Sequence, residues 1–181
     1  PVVAPAGHRV ALVAIVERRW EEQDAGIWEL RHAVRHHVHS KVMAWVAVDR
    51  ALRLAARLGR PAGEGWSALR ERIAREVLER GWHAAAGAFT TAYGVPDLDA
   101  AALWVTLSGL LPPDDPRAVS TVERVAVTLR AGPTVYRYAF GDGLPGADAG
   151  GFHICTAWLA EALWRGGRRA EAEHLLDELL S

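Results

Sequence analysis

The sequence predicts an all-α protein, and three observations predict it. Apolar residues recur at helical spacing over most of the chain. Helix start and stop signals bracket those stretches: Ser40, Asp97 or Asp99, and Pro116 at the starts, Gly59, Gly81 and Gly166-Gly167 at the ends. No alternation of apolar and polar residues is long enough for a strand. The 181 residues are of single-domain length, and half of them are hydrophobic, as in a globular protein.

The elements follow in order. His8–Trp20 is expected to be a helix that is apolar on most sides and turns charged only at Glu17–Arg19. A short helix of that kind needs cover on both sides. Asp24–Val38 is a polar, Gly-containing loop. Ser40 can cap a helix from Lys41 to about Leu58, striped by Val42, Trp45, Val46, Leu52 and Ala56. Trp66–Arg80 is amphipathic, with Trp66, Leu69, Ile73, Val77 and Leu78 on one face. Trp82–Val95 is a connector that Phe89 and Tyr93 pin to the core. Ala100–Leu111 is a very apolar helix, ended by the break Pro112-Pro113-Asp114-Asp115-Pro116. Pro116 opens a helix to about Arg130. Ala131–Gly151 is a long loop with six glycines, and loops of that length in a compact domain are usually functional. His153–Trp164 is apolar, and Arg168–Leu180 is amphipathic.

Nearly all-apolar helices thus alternate with amphipathic ones. Apolar helices suit an inner layer and amphipathic ones an outer layer, as in a helical toroid or a solenoid of hairpins. No fixed repeat period is present, which favours the toroid. Asp24–Val38 and Ala131–Gly151 are the loops rich enough to line a cavity at one end.

Composition excludes several classes. The formal net charge is −1, so there is no basic field to draw nucleic acid or an anionic membrane. The longest apolar run, Val10–Val16, is too short to span a bilayer. One cysteine, Cys155, excludes an internal disulfide framework. PVVAPAG has no charged leader region. Together these predict a cytoplasmic protein, bacterial if the resemblance below holds, with no membrane and no nucleic-acid partner. The first residue is not Met, so Pro1 is not expected to be a native start.

Chemistry concentrates in DAGIWELR, where Glu29 directly follows Trp28. A carboxyl held against an indole and shielded from water resists ionisation, which keeps a proton available for a leaving group near neutral pH. The alternative is that Trp28 is a core anchor and Glu29 a solvated loop residue. On the pair alone, that second reading is the commoner one.

The blocks DAGIWELR, HSKVMAWVAVDRAL, WSALRERIAREVLERGW, LDAAALWVTLSGLLPPDDPR, VYRYAFGDGLPG and GGFHICTAWLAEAL resemble, in order, glycoside hydrolase family 15. The bacterial trehalase and glucoamylase-like branch is the most similar. The resemblance covers almost the whole chain. It implies part of an (α/α)6 barrel, about seven of twelve helices, lacking the first helices and the last one. It implies inverting hydrolysis of α-glucosidic bonds, with no cofactor. Glu29 falls on the general acid and Trp28 on a sugar-contacting tryptophan. Arg137, between Tyr136 and Tyr138, falls on a substrate-binding arginine, with Asp142 in the same loop. Arg31 belongs to the Trp-Glu-x-Arg form of the branch and is assigned a substrate hydroxyl. The carboxylate that activates water would lie beyond Ser181, so the segment carries the acid but not the base. The turn Gly146-Ala147-Asp148-Ala149-Gly150-Gly151 lacks a Glu that branch members often carry there. The implied partners are a glucose-containing di- or oligosaccharide, and the rest of a parent chain or a second copy covering exposed inner helices such as Ala100–Leu111.

Three other signals weigh less. His32, His36, His37 and His39 cluster, but no carboxylate or thiolate stands at ligand spacing beside them, so no metal is assigned. Trp45, Trp66, Trp104, Trp158 and Trp164 sit at helical positions and are assigned to the core. Cys155 lies on an apolar helix face with no base beside it and is assigned to packing. The competing function class is a non-catalytic carbohydrate- or protein-binding helical module that dimerises or pairs with a partner.

Overall fold

The structure, a computed structural model, describes residues 6–29, 34–139 and 150–180, with side chains from Ala11 onward. Among the described residues are seven α-helices and four two-residue strands. The helices are α1 (Ala6–Arg19), α2 (Val38–Arg57), α3 (Trp66–Arg80), α4 (Trp104–Leu107), α5 (Pro116–Thr128), α6 (His153–Arg165) and α7 (Arg169–Leu180). Two antiparallel hairpins interrupt them: β1 (Trp82–His83) with β2 (Ala88–Phe89), and β3 (Arg130–Ala131) with β4 (Thr134–Val135). No helix among the described residues is long and apolar enough to cross a membrane.

The chain packs as two groups. α1, α2 and α3 bury Val13, Val42, Trp45, Val48, Leu69, Ile73 and Val77 in one core. α5, α6 and α7 bury Val125, Leu129, Leu159, Leu163 and Leu175 in a second. Leu98 and Trp104 pack against both cores and join them. α2 with α3, and α6 with α7, are the most extensive helix pairs.

Helix ends follow local chemistry where no tertiary partner competes. Asp115 caps α5 by accepting the Arg117 N–H at 2.9 Å, with Pro116 in the first turn. α3 spans the predicted Trp66–Arg80 and stops at Gly81. α2 starts earlier than predicted. The Ser40 hydroxyl donates to Asp24 Oδ1 at 2.7 Å instead of capping, and the His37 carbonyl accepts the first helical N–H, from Lys41. The stripe of α2 also differs, because Lys41 and Asp49 are buried in it. The Lys41 ammonium donates to the carbonyls of Trp20, at 2.6 Å, and of Glu22, which closes the C-terminal end of α1. Asp49 accepts a hydrogen bond from Arg50 and is ion-paired with Arg53 of its own helix at 2.8 Å and with Arg70 of α3 at 3.5 Å.

The segment 100–111 is the largest departure. It is a 3-10 turn, Ala100–Leu103, running into the four-residue α4, with Gly109 at φ 84° ending it. The Asp99 side chain takes the Ala102 N–H, and the Ala100 N–H goes out to the Arg137 carbonyl at 2.8 Å. Those outside partners favour the tighter i→i+3 pattern. Ala100–Leu103, Val105, Leu107 and Leu111 are all buried, so this stretch is not an exposed inner face. Uncovered apolar residues lie elsewhere, among them Leu12 (52% exposed) and Ile15 on α1, Ile154 on α6 and Val127 on α5. The connector after α3 is a hairpin, held to α5 by Phe89 N–H to Thr121 Oγ1 and Ser120 Oγ to the Gly87 carbonyl. Phe89 is fully buried, as predicted.

Candidate active site

The loop between α1 and α2 is tied at its base. Asp24 and Arg35 exchange backbone hydrogen bonds at 3.0 Å, and Asp24 Oδ1 also accepts the Gly26 N–H at 2.7 Å. Gly26 has φ 71°, and a Cβ there would meet the His37 ring at 2.9 Å. The Glu29 N–H closes back on the Gly26 carbonyl at 3.2 Å. Glu29 itself has φ 49°, the one non-glycine residue in the left-handed region among the described residues. A glutamate held there is strained, and such strain clusters at functional sites.

The turn places Trp28 inward. Its ring packs edge-on against Tyr138 and Phe152 and at a tilt on Trp158, with centroids 6.1–6.2 Å apart. Its Nε1–H donates to Asp99 Oδ2 at 3.0 Å. Glu29 itself is exposed. The expected shielding of Glu29 from water by Trp28 is therefore not found. The indole is committed to Asp99 and to the aromatic cluster instead.

Arg137 follows β4. Its guanidinium carbon lies 5.3 Å from the Tyr138 ring, 5.8 Å from Phe152 and 6.0 Å from Trp28, within cation–π range. Phe152 is placed by its N–H to the Val135 carbonyl at 2.8 Å, and Thr156 Oγ1 accepts the Val135 N–H. Ile27, Trp28, Glu29, Arg137, Phe152, Ile154 and Trp158 line one open pocket of about 330 Å³. One acid, one fixed cation and an aromatic floor suit a polar ring with apolar faces, such as a sugar.

Glu29, Trp28 and Arg137 thus share a pocket, while Arg31 and Asp142 lie outside the described residues. Asp99 was foreseen only as one of two candidate caps. It is buried, and burial pushes its carboxyl up to about 6 against the opposing hydrogen bonds from Trp28, Ala102 and Ala101. Trp158 packs against the second core, as expected, and also lines the pocket. Trp164 is 47% exposed, with the Arg169 guanidinium 5.1 Å from its ring. Phe152 and Ile154, spaced two apart at the start of an apolar helix, were the sequence signal for the rim that went unread. Cys155 is fully buried, and its thiol is pushed up to about 12, first by burial and then by the Asp99 charge. Of the histidines, His36 stacks on Tyr93 at 5.7 Å, and His39 packs edge-on to Trp104 with its imidazole lowered to about 4 by burial. His32 is outside the described residues.

Helices paired in sequence, α2 with α3 and α6 with α7, give the all-α fold on which this pocket is built. A solved glycosidase superposes with a TM-score of 0.75 at 24% identity, covering 92% of this chain and 42% of that one. A glycosidase variant in complex with glucose gives the same TM-score at 22% identity, over 94% and 51%. The family profile of glycosyl hydrolases family 15 matches residues 6–180, and the chain belongs to that family. It is 42% identical over 168 residues to a trehalase of Mycobacterium tuberculosis, covering 91% of this chain and 24% of that protein. It is 34% identical over 171 residues to a trehalase of Thermoplasma volcanium, covering 93% and 27%. The chain therefore spans about a quarter of the length of the curated relatives it matches.

Proposed function

We propose that this chain supplies one wall of the active site of an inverting α-glucosidic hydrolase acting on trehalose or an α-glucan. Glu29 protonates the glycosidic oxygen as it leaves. Trp28 stacks on the sugar, and Arg137, with Arg31 and Asp142, holds its hydroxyls. The second carboxylate, roughly 6.5–9.5 Å from the first in inverting enzymes, comes from sequence outside these residues and activates water on the opposite face. The observation that carries this proposal is that Glu29 and Arg137 share one aromatic pocket with Trp28. The exposed position of Glu29 agrees with a site completed by further chain, since three quarters of each relative lies beyond the match. The trehalase names of the relatives favour trehalose. A bacterial cytoplasmic location is part of the same proposal, supported by a lone, buried cysteine.

The test is Glu29→Gln in the full-length protein, assayed on trehalose and maltose. Loss of a general acid costs on the order of 10²–10⁴ in kcat. Wild-type turnover by the variant refutes the assignment of Glu29. Proton NMR of early trehalose hydrolysis should show α- and β-glucose in equal amounts, one from each half of the disaccharide, and α-glucose alone would refute inversion.

A further inference from the structure

Asp99 stands 71 residues from Trp28 in sequence, yet its carboxylate joins two different elements. Oδ1 accepts the Ala102 N–H at 3.1 Å and opens the 3-10 turn. Capping needs no more than that one oxygen, and Ser, Thr or Asn supplies it equally well. Oδ2 takes the Trp28 indole N–H at 3.0 Å, with the carboxylate only 4% exposed. The adjacent backbone does matching work on the other wall. Asp99 pairs with Tyr138 as an isolated bridge, and the Ala100 N–H holds the Arg137 carbonyl at 2.8 Å. Both walls of the pocket, the Trp28-Glu29 turn and the Arg137 strand end, therefore hang from the same two residues. The Glu29 backbone sits in a region that costs free energy to occupy. A turn of that kind holds its shape only when contacts outside it fix it.

We propose that Asp99 is a positioning residue that acts through the Trp28 indole to set the place of Glu29 opposite Arg137. The proposal rests on the assignment of Glu29 as the acid. Its role is geometric. A carboxylate buried at the junction fixes the indole, the indole fixes the turn, and the turn presents the acid to the glycosidic oxygen.

The experiment uses the full-length enzyme labelled with 5-fluorotryptophan, with the Trp28 signal assigned by its loss in Trp28→Phe. Asp99→Ser keeps a capping oxygen but cannot reach the indole. It is expected to shift and broaden the Trp28 fluorine signal. It is also expected to lower kcat on the order of tenfold to a hundredfold, the scale for a misplaced catalytic group. The loss should fall on kcat more than on KM, because the proton is needed only in the transition state. In a Trp28→Phe background, Asp99→Ser should then add little further loss, since the two act as one unit. An unmoved Trp28 signal with kcat within twofold of wild type overturns the proposal. So does full multiplication of the two kcat effects. If Asp99→Ser does not fold, Asp99→Asn, of the same shape, is read by the same signal and the same ratio. Glu29→Gln separates the two claims. Should it keep wild-type turnover, the acid assignment fails, while the fluorine signal still reports whether Asp99 holds Trp28.

Discussion

At the scale of single residues, the site is governed by Asp99 and Glu29. Burial raises the Asp99 carboxyl from its ordinary 3.8 to about 6, so the folded protein binds this proton more tightly than the unfolded chain. Stability from this group is therefore fully present below about 3.8 and declines as pH rises towards 6. The span is worth on the order of 3 kcal/mol. Asp99→Asn, which does not titrate, removes that slope. Urea midpoints measured between pH 4 and 7 should converge for the two proteins at low pH in a way that a non-titrating contact would not produce. The sign runs opposite to the usual surface carboxylate, whose ion pair is lost on acidification. Glu29, by contrast, is exposed, and the indole beside it is hydrogen-bonded to Asp99.

At the scale of elements, the α1–α2 junction depends on one buried cation. Lys41 gives its ammonium to the carbonyls of Trp20 and Glu22 at the end of α1, and burial lowers its proton affinity. Lys41→Met fills a similar volume but leaves a buried carbonyl without a donor. It is expected to cost on the order of 2 kcal/mol, read as a lower urea midpoint. Hydrogen exchange at Trp20 and Glu22 should speed up more than at α3, since the loss is local. The same junction carries the turn with Glu29, so the lysine supports the site without touching it.

At the scale of the whole molecule, α1 presents an open apolar face. α1 leaves Leu12 and Ile15 uncovered beside Val16, Met43 and Ala44, in a groove of about 390 Å³. Its sequence is apolar around most of its circumference, and among its described side chains Val13 is buried while Leu12 and Ile15 stay open. As a separate 181-residue protein the chain should self-associate through this face. Leu12→Lys with Ile15→Lys should return it towards monomer by sedimentation velocity. An unchanged, purely monomeric wild type would count against a covered face and against both the parent-chain and second-copy accounts of what covers it.

Much of the architecture was legible in the sequence because it is written in local chemistry. Pro116 and Asp115 start α5, Gly81 ends α3, and Gly166-Gly167 separates α6 from α7. The all-α class and the joint placement of Trp28, Glu29 and Arg137 followed from helical spacing and the family resemblance. Arg31 and Asp142 lie outside the described residues. What only the tertiary structure decided has a common physical cause: distant partners outcompete local rules. Ser40 is a capping residue by type, but Asp24 claims its hydroxyl. Residues 100–111 are helix formers by composition, but Asp99 and Arg137 pull the first turn into 3-10 geometry. Trp28 was expected to shelter Glu29, yet a carboxylate 71 positions away takes its N–H and the acid is exposed. Periodicity and capping reach only three or four residues along the chain, whereas a buried hydrogen bond acts across whatever the fold brings together.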